Sequence, residues 1–355
     1  MTAGAGGTAG PVRRGFEIDE ARLDDYLRAL LPGYAGPLSL QQFAGGQSNP
    51  TYRLRTPGRS YVLRRKPPGV LLPSAHAVDR EYRVIDALGR LGGVPVPRAL
   101  HLCLDESVIG TSFYVMECVE GRILRDAALP EVPQAARPAH CEAIVDALAR
   151  LHRADYRAAG LGDFGRAGGY VARQFSRWSR QYLEDTEAGR NEDMDRLVDW
   201  LPAHMPGTER TTLVHGDYRC DNLVFHPEEP RVLAILDWEL ATLGDPIADF
   251  TYHLMMYRMP PLAVTGLAGR DLQALNLPPE DLYVRWYCER MGLDSVPDLD
   301  FYLAFNLFKL AAVFHGIRGR LIRGTAAGAT ARAYAACVEE AARLAWQQAR
   351  RAAPG

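Results

Sequence analysis

Residues 211–249 read TTLVHGDYRCDNLVFHPEEPRVLAILDWELATLGDPIAD, and this stretch decides the fold that we predict for the chain. Its apolar runs LVF and VLAIL flank a turn that contains two prolines, a pattern that predicts a β-hairpin. The polar side chains of Asp217, Asn222 and Asp237 stand at or near the ends of apolar runs. Because a scaffold holds such positions rigidly, we expect these three residues to carry the chemistry.

The three polar residues have the types that phosphoryl transfer requires. That reaction needs a carboxylate close to the attacking hydroxyl and hard oxygen ligands for magnesium. Asp217 can serve as the first, whereas Asn222 and Asp237 can serve as the ligands. The Asp-x-x-x-x-Asn spacing matches the catalytic loop of protein kinases, but Trp238-Glu239 stands where those enzymes have Phe-Gly. The chain is therefore not an ordinary protein kinase.

The ordered motifs HGDxxxxN, I-x-D-W-E and G-D-P-x-x-D resemble the aminoglycoside phosphotransferase (APH) superfamily of kinase-like folds. Within it, the chain is most similar to the kinase-like domain of acyl-CoA dehydrogenase family members 10 and 11 and to free-standing bacterial relatives. The resemblance implies an α+β, two-lobed protein-kinase-like fold with a small β-rich N-lobe and a larger, mostly helical C-lobe. It also implies ATP and Mg²⁺ as cofactors.

The domain organisation that we expect has three parts. Residues 1–15 lack the apolar centre of a signal peptide and are predicted to be a disordered tail. Residues 16–120 are predicted to be the nucleotide-binding N-lobe, and residues 121–350 the catalytic and acceptor-binding C-lobe.

The predicted N-lobe contains candidate groups for the nucleotide phosphates. Two strand-like runs surround the sequence AGGQSN at 44–49, where a plain hairpin turn is the simpler interpretation. The resemblance favours a turn that covers the phosphates, with backbone N–H groups, Ser48 and Asn49 nearby.

A cation is expected on the next strand to hold the α- and β-phosphates. Arg64 and Lys66 both fit, and Arg64 is preferred because it ends the apolar run where kinases have their lysine. Glu81 lies near the edge of the buried stripe of a predicted helix over 75–91. The resemblance makes Glu81 the ion-pair partner of Arg64, and an exposed helix glutamate is the alternative.

The adenine-binding segment is expected where a β-prone run ends in a polar turn and a glycine. In kinase-like folds such a strand leads into the hinge, whose backbone reads the base. The residues are Met116, Glu117, Cys118 and Val119.

The spacing of apolar residues predicts helices in most of the rest of the chain. Predicted helices lie within 16–36 and 166–206 and at 75–91, 139–154, 250–256, 281–291, 301–320 and 330–351. We expect His152 to be a packed helix residue, His215 to brace the loop, and Asp249 to accept bonds from catalytic-loop backbone. Asp245 is expected to cap the following helix, and Glu239 adds a carboxylate without an assigned task.

Composition restricts the partners and the compartment. The 355 residues carry 41 basic and 43 acidic side chains, so no nucleic-acid partner is implied. No apolar run has membrane-spanning length, and no membrane association is expected. The six cysteines form no C-x-x-C pair, which suits a reducing cytoplasm.

The acceptor is the least defined part of the prediction. Residues 305–323 contain five basic or imidazole side chains and no acidic one, and these are Lys309, His315, Arg318, Arg320 and Arg323. Such a basic face suits an anionic acceptor, and the resemblance implies a hydroxyacyl-CoA, although a solvated helix face has the same pattern.

Other functions remain open. An aminoglycoside or amino-alcohol kinase and a catalytically silent nucleotide-binding member are both compatible with the motifs. A metal-dependent hydrolase that uses His215, Asp217, His226 and Asp237 is a further alternative, and it would hold a transition metal tightly.

Overall fold

The computed structural model describes residues 9–43, 49–67, 77–207, 209–262, 264–326 and 328–352. The chain forms two compact units. The first comprises Met1–Leu124, Tyr156–Leu161 and Asp221–Ala241, and the second comprises Arg125–Asp155, Gly162–Cys220 and Thr242–Gly355. This division differs from two continuous lobes that meet at Gly121, because the hairpin after Asp221 returns to the first unit.

The first unit is built on an antiparallel six-stranded sheet with the order β1-β2-β3-β4-β6-β5. Its strands are β1 (Ala9–Gly10), β2 (Ser39–Phe43), β3 (Thr51–Arg55), β4 (Ser60–Arg65), β5 (Ala99–Cys103) and β6 (Phe113–Glu117). Alternate residues of β3, Tyr52 and Leu54, are fully buried, as expected for a strand with one face on a core.

Two predicted helices belong to this unit, α1 (Glu20–Leu30) and α2 (Val78–Leu91). Asp19 caps α1 by accepting a hydrogen bond from the Arg22 backbone, and Leu23 and Leu27 bury one face in the core. The disordered tail predicted over residues 1–15 differs from the structure in its described part. Ala9–Gly10 pair with β2, and the Arg13 backbone donates a hydrogen bond to the Gln42 side chain. Residues 1–8 lie outside the described part.

The remaining elements are α3 (Arg137–Arg153), α4 (Tyr170–Glu184), α5 (Glu192–Ala203), β7 (Thr212–Val214), β8 (Leu223–Phe225), β9 (Val232–Ile235), β10 (Thr242–Gly244), α6 (Pro246–Leu254), α7 (Glu280–Met291), α8 (Leu299–Ile322), α9 (Ala329–Ala335) and α10 (Val338–Ala352). Strands β8 and β9 form the predicted hairpin in the first unit, and β7 pairs with β10 in the second. The predicted helix over 330–351 is instead two helices, because the chain turns at Ala336-Cys337.

Helix α8 is the core helix of the second unit. It is apolar almost all round, buried along most of its length, and packs against α4, α5, α6, α9 and α10. Two glycines permit the close approach on one side. A Cβ at Gly316 would lie 2.5 Å from Gln181 Nε2, and one at Gly319 would lie 2.0 Å from Asp185 Oδ2. No helix of the described residues is both long and apolar enough to cross a membrane.

Candidate active site

Three carboxylates surround one guanidinium in the first unit. Arg64 Nε lies 3.0 Å from Glu81 Oε2, and Arg64 Nη2 lies 2.7 Å from Asp237 Oδ1 and 3.4 Å from Glu239 Oε2. The Arg64 and Glu81 side chains are only 8% and 1% exposed, whereas those of Asp237 and Glu239 are each 30% exposed. The predicted ion pair between β4 and α2 is present, and the partly open side of the cluster is acidic.

Burial and charge oppose one another in this cluster. Burial alone lowers the pKa of Arg64, but Asp237 and Glu81 outweigh it and raise that pKa, so the guanidinium stays charged. Burial raises the pKa of the Glu81 carboxyl despite the attraction of Arg64. Glu81 also accepts hydrogen bonds from Asn49 Nδ2 at 2.6 Å and from the Tyr114 hydroxyl at 3.2 Å.

The β8–β9 hairpin brings the two predicted metal ligands to neighbouring positions. Leu223 pairs with Ile235, and the Leu236 backbone N–H donates to the Asn222 carbonyl at 2.8 Å. Asp237 follows directly, in the left-handed region at φ 63°. A non-glycine residue in this region is uncommon and costs energy, and strained residues of this kind cluster at functional sites.

The other predicted nucleotide residues occupy defined positions where the structure describes them. Asn49 is fully buried and braces Glu81, so its amide supports the Arg64 pair. Ser48 lies outside the described residues. Met116 and Glu117 end β6, and Cys118 and Val119 follow as the chain leaves the sheet.

The second unit contains the predicted catalytic carboxylate, Asp217, on the loop after β7. Its Oδ1 accepts a hydrogen bond from the Tyr252 hydroxyl at 2.7 Å and lies 3.3 Å from Arg219 Nε. Its backbone N–H donates to His215 Nδ1 at 3.3 Å. The Asp217 side chain is 25% exposed, so the carboxylate is oriented by its neighbours and still open to a ligand.

A second, fully buried carboxylate anchors this loop, as predicted for Asp249. The backbone N–H groups of His215 and Gly216 donate to its two oxygens at 2.7 and 2.8 Å. His152 Nε2 lies 3.2 Å from Asp249 Oδ2, and both side chains are fully buried. Burial alone raises the pKa of Asp249, but the bonds from His152 and the His215 backbone outweigh it and hold that pKa below its usual range.

Two contacts around this loop were not predicted from the sequence. Tyr252 on α6 carries no motif signal, and its role as a donor to Asp217 follows only from the fold. Lys309 was predicted to belong to an exposed basic face, but it is buried and donates to the Gly216 carbonyl at 3.1 Å. Its ammonium also lies 4.5 Å from the centre of the Tyr252 ring. A lysine inside an otherwise apolar run, in a chain with only two lysines, was the available signal.

The predicted basic face of α8 is largely neutralised. His315 is buried with Nε2 2.8 Å from the Gly189 carbonyl, and Arg318 pairs with Glu339 at 2.7 Å. Arg323 forms two hydrogen bonds to Asp185, at 2.7 and 2.9 Å. Arg320 is exposed. These side chains point to different partners and do not form one anion-binding surface.

Among the described residues, no group of three or more His, Cys, Asp or Glu side chains has a metal-binding arrangement. Asp245 caps α6 as predicted, by accepting a hydrogen bond from the Ile247 backbone at 2.7 Å.

Comparison with known proteins gives a consistent result. The model of the APH phosphotransferase enzyme family matches residues 39–282. The chain is 45% identical over 340 residues to acyl-CoA dehydrogenase family member 10 of Mus musculus, covering 95% of this chain and 32% of that protein. It is 44% identical over 340 residues to family member 11 of Gallus gallus, with 92% and 43% covered. The chain thus spans less than half of these curated relatives.

Solved structures show the same fold. A putative aminoglycoside phosphotransferase from Ralstonia eutropha is 45% identical, with a TM-score of 0.86, and 94% of this chain and 99% of that chain are covered. The aminoglycoside phosphotransferase APH(4)-Ia, in a ternary complex with ADP and hygromycin B, is 14% identical with a TM-score of 0.60 over 93% and 98%. The predicted kinase-like α+β fold, with a β-rich and a helical part, is confirmed.

Proposed function

Because the chain belongs to the APH phosphotransferase enzyme family, we propose that it transfers the γ-phosphoryl group of ATP to a hydroxyl of a small molecule. The observation that carries this proposal is the Arg64 cluster, in which Glu81 orients the guanidinium and Asp237 remains partly open. An arginine held in this way can grip phosphate oxygens with its planar fork.

The nucleotide residues are assigned to the first unit. Arg64 binds the α- and β-phosphates, and it does so in preference to Lys66 because only Arg64 is aligned by a buried glutamate. Ser48 and Asn49 are assigned to the turn that covers the phosphates, and the backbone of residues 116–119 is assigned to adenine. Asn222 and Asp237 hold Mg²⁺, which neutralises phosphate charge when bound.

The carboxylates grouped around Arg64 support this metal assignment. The Asp237 side chain is 30% exposed, so its carboxylate can meet a cation that accompanies the polyphosphate. Mg²⁺ usually takes one or two protein carboxylates and completes its shell with phosphates and water. Asp237 and Asn222 fit that pattern without a dedicated cage.

The acceptor hydroxyl is assigned to Asp217. Tyr252 and Arg219 fix the direction of its carboxylate, and the anchored backbone of His215 and Gly216 fixes its position. Asp217 orients the hydroxyl and accepts its proton late in the transfer.

For the acceptor itself, we propose a hydroxyacyl-CoA. The names of the relatives that are 44–45% identical to this chain support a substrate linked to acyl-CoA metabolism. An aminoglycoside acceptor is the second candidate, supported by the name of the Ralstonia eutropha structure. A silent nucleotide-binding member differs from both by lacking turnover, and the metal-dependent hydrolase gains no support from the described residues. We also propose a cytoplasmic location, which the six free thiols support.

A turnover screen tests the function. Purified protein with MgATP is supplied separately with hydroxyacyl-CoAs, aminoglycosides and amino alcohols, and ADP release and phosphorylated product are both measured. The proposal expects product from the hydroxyacyl-CoA set. Product from aminoglycosides alone would transfer the assignment to the second candidate, and ATP binding without product from any hydroxyl would indicate the silent member.

A further inference from the structure

A groove of about 600 Å³ runs along one face of α4 in the second unit. Its lining residues recur every three or four positions, which places them on a single helical face. Arg173, Arg177 and Arg180 supply three guanidiniums, and Ser176 and Gln181 add hydrogen-bonding groups. The volume is in the range of small-molecule sites in proteins.

Two of these arginines, Arg177 and Arg180, are exposed, and the Arg177 guanidinium lies 4.9 Å from the centre of the Trp178 ring. Arg173 donates to the carbonyls of Gly168 and Arg166 and so closes the start of α4. Among the described residues, none forms a hydrogen bond or ion pair with Arg177 or Arg180, although Glu184 stands one turn beyond Arg180. Most other arginines of this unit have an acidic or carbonyl partner, including Arg318 and Arg323 on α8.

The groove lies beside the helix that supports the catalytic loop. Gln181 Nε2 donates to the Ala312 carbonyl of α8 at 3.0 Å, and Gly316 leaves the space for this contact. One turn earlier on α8, Lys309 holds Gly216, which precedes Asp217. Burial lowers the pKa of the Lys309 ammonium, the charge of Asp217 raises that pKa, and the charge of Arg177 lowers it. A ligand in the groove therefore lies near the loop that carries the catalytic carboxylate.

We propose that the α4 groove is an anion subsite in which Arg177 and Arg180 bind phosphate groups of the acceptor substrate. The proposal rests on the proposed function for the identity of the acceptor. Guanidinium–phosphate contacts are charge-assisted and often bidentate, which suits two arginines one turn apart on a fixed helix. Phosphates of a coenzyme A moiety and those of a smaller phosphorylated acceptor share this chemistry.

Titration calorimetry on the full chain distinguishes the two sources. Coenzyme A, pantetheine and inorganic pyrophosphate are titrated separately, with saturating MgADP present so that adenine does not report on the nucleotide site. We expect coenzyme A to bind at least tenfold more weakly to the Arg177→Ala/Arg180→Ala variant. Its binding to wild type should also weaken as salt rises. Pantetheine, which lacks the phosphates, should bind both proteins equally.

Two further variants exclude indirect effects. Arg350→Ala/Arg351→Ala removes the same charge from exposed positions of α10 and should leave coenzyme A binding unchanged. Arg177→Lys/Arg180→Lys keeps the charge and should retain most of the affinity. Binding of pyrophosphate alone, with the same arginine dependence, would support the subsite and exclude coenzyme A as the source.

The proposal is overturned if the alanine variant binds coenzyme A and pyrophosphate as wild type does, or if wild type binds neither. The titration needs no phosphoryl transfer. Failure of the proposed function would instead be seen as absence of MgATP-dependent phosphorylation of every hydroxyl acceptor, whatever the groove binds.

Discussion

The carboxylate sites around Asp249 and Asp237 differ in the groups that surround the carboxylate. Around Asp249, each carboxylate oxygen receives a backbone N–H, and His152 adds a further partner. Around Asp237, three carboxylates crowd one guanidinium, and the aspartate occupies a left-handed backbone conformation. The carboxylate of the first site is buried and fully hydrogen-bonded within the protein, whereas two carboxylates of the second site, Asp237 and Glu239, are each 30% exposed.

This difference distinguishes a carboxylate that supports the structure from a cluster that binds a ligand. A buried carboxylate with a full set of donors is stable as it stands, and its removal leaves those donors unsatisfied. A partly exposed cluster that brings carboxylates together at a strained backbone position gains from an added cation, which is typical of a site that binds a metal–ligand complex. The four substitutions below test this contrast.

The largest effect is expected at the carboxylate that the anchored loop presents. Asp217→Asn should lower kcat by roughly 10²–10⁴-fold, because a group that accepts a proton in the transition state is lost. The affinity for MgATP should stay nearly the same, as measured by titration of the nucleotide. Asp199→Asn on the exposed face of α5 is the matched control, and retention of more than roughly a tenth of wild-type kcat by Asp217→Asn would exclude the assigned role.

Next in size is the loss of the anchor. Asp249→Asn must point an amide NH₂ at one of the donors that now meet a carboxylate, so we expect a loss of about 3 kcal/mol in the free energy of unfolding at pH 7. Since the native pKa of Asp249 is lowered, its contribution exists above the unfolded pKa and disappears as pH falls through the native pKa. Urea unfolding at pH 7 and at lower pH measures both quantities.

Asp245→Asn is the control for that experiment. Asp245 is also buried, but asparagine can keep its capping bond to the Ile247 backbone, and burial raises the pKa of this carboxyl. A similar destabilisation by Asp245→Asn and Asp249→Asn would contradict the special role of the anchor.

The same substitution in the acidic cluster should behave differently. Asp237→Asn is expected to change the free energy of unfolding of the ligand-free protein by less than about 1 kcal/mol, because asparagine tolerates the left-handed conformation and like-charge repulsion falls. It should weaken Mg²⁺-dependent ATP binding by at least roughly 10-fold, because even the loss of an outer-shell partner costs about 10–100-fold in metal affinity. Thermal unfolding measures the change in stability, and titration of MgATP measures the change in affinity. Unchanged MgATP affinity would refute the metal assignment.

The smallest effect concerns the orientation of Asp217. Tyr252→Phe keeps the ring beside Lys309 and removes only the hydroxyl bond, so kcat should fall by about three- to tenfold while KM for ATP stays constant. Tyr257→Phe is the matched control. Tyr257 lies three residues beyond the end of α6, and the substitution removes its hydroxyl bond to the Pro278 carbonyl. Equal kcat values for the two variants would show that Tyr252 does not position the carboxylate.

The sequence by itself determined the features that depend on local order. The β8–β9 hairpin, the cap of α6 and the spacing of Asp217, Asn222 and Asp237 are written in neighbouring residues, where turn chemistry and periodicity act directly. The Arg64–Glu81 pair was predicted through family resemblance, since the two residues lie on a strand and a helix whose packing no local pattern states.

Tertiary structure alone decided which distant side chains meet. Arg64 reaches Asp237 across 173 positions of sequence, and Lys309 reaches Gly216 across 93. The predicted basic face failed for the same reason, because helical spacing gives the direction of Arg318 and Arg323 but not the presence of Glu339 and Asp185 opposite them. A charge pattern along one helix shows where charges are, and only the packing of other elements shows which of them are already neutralised.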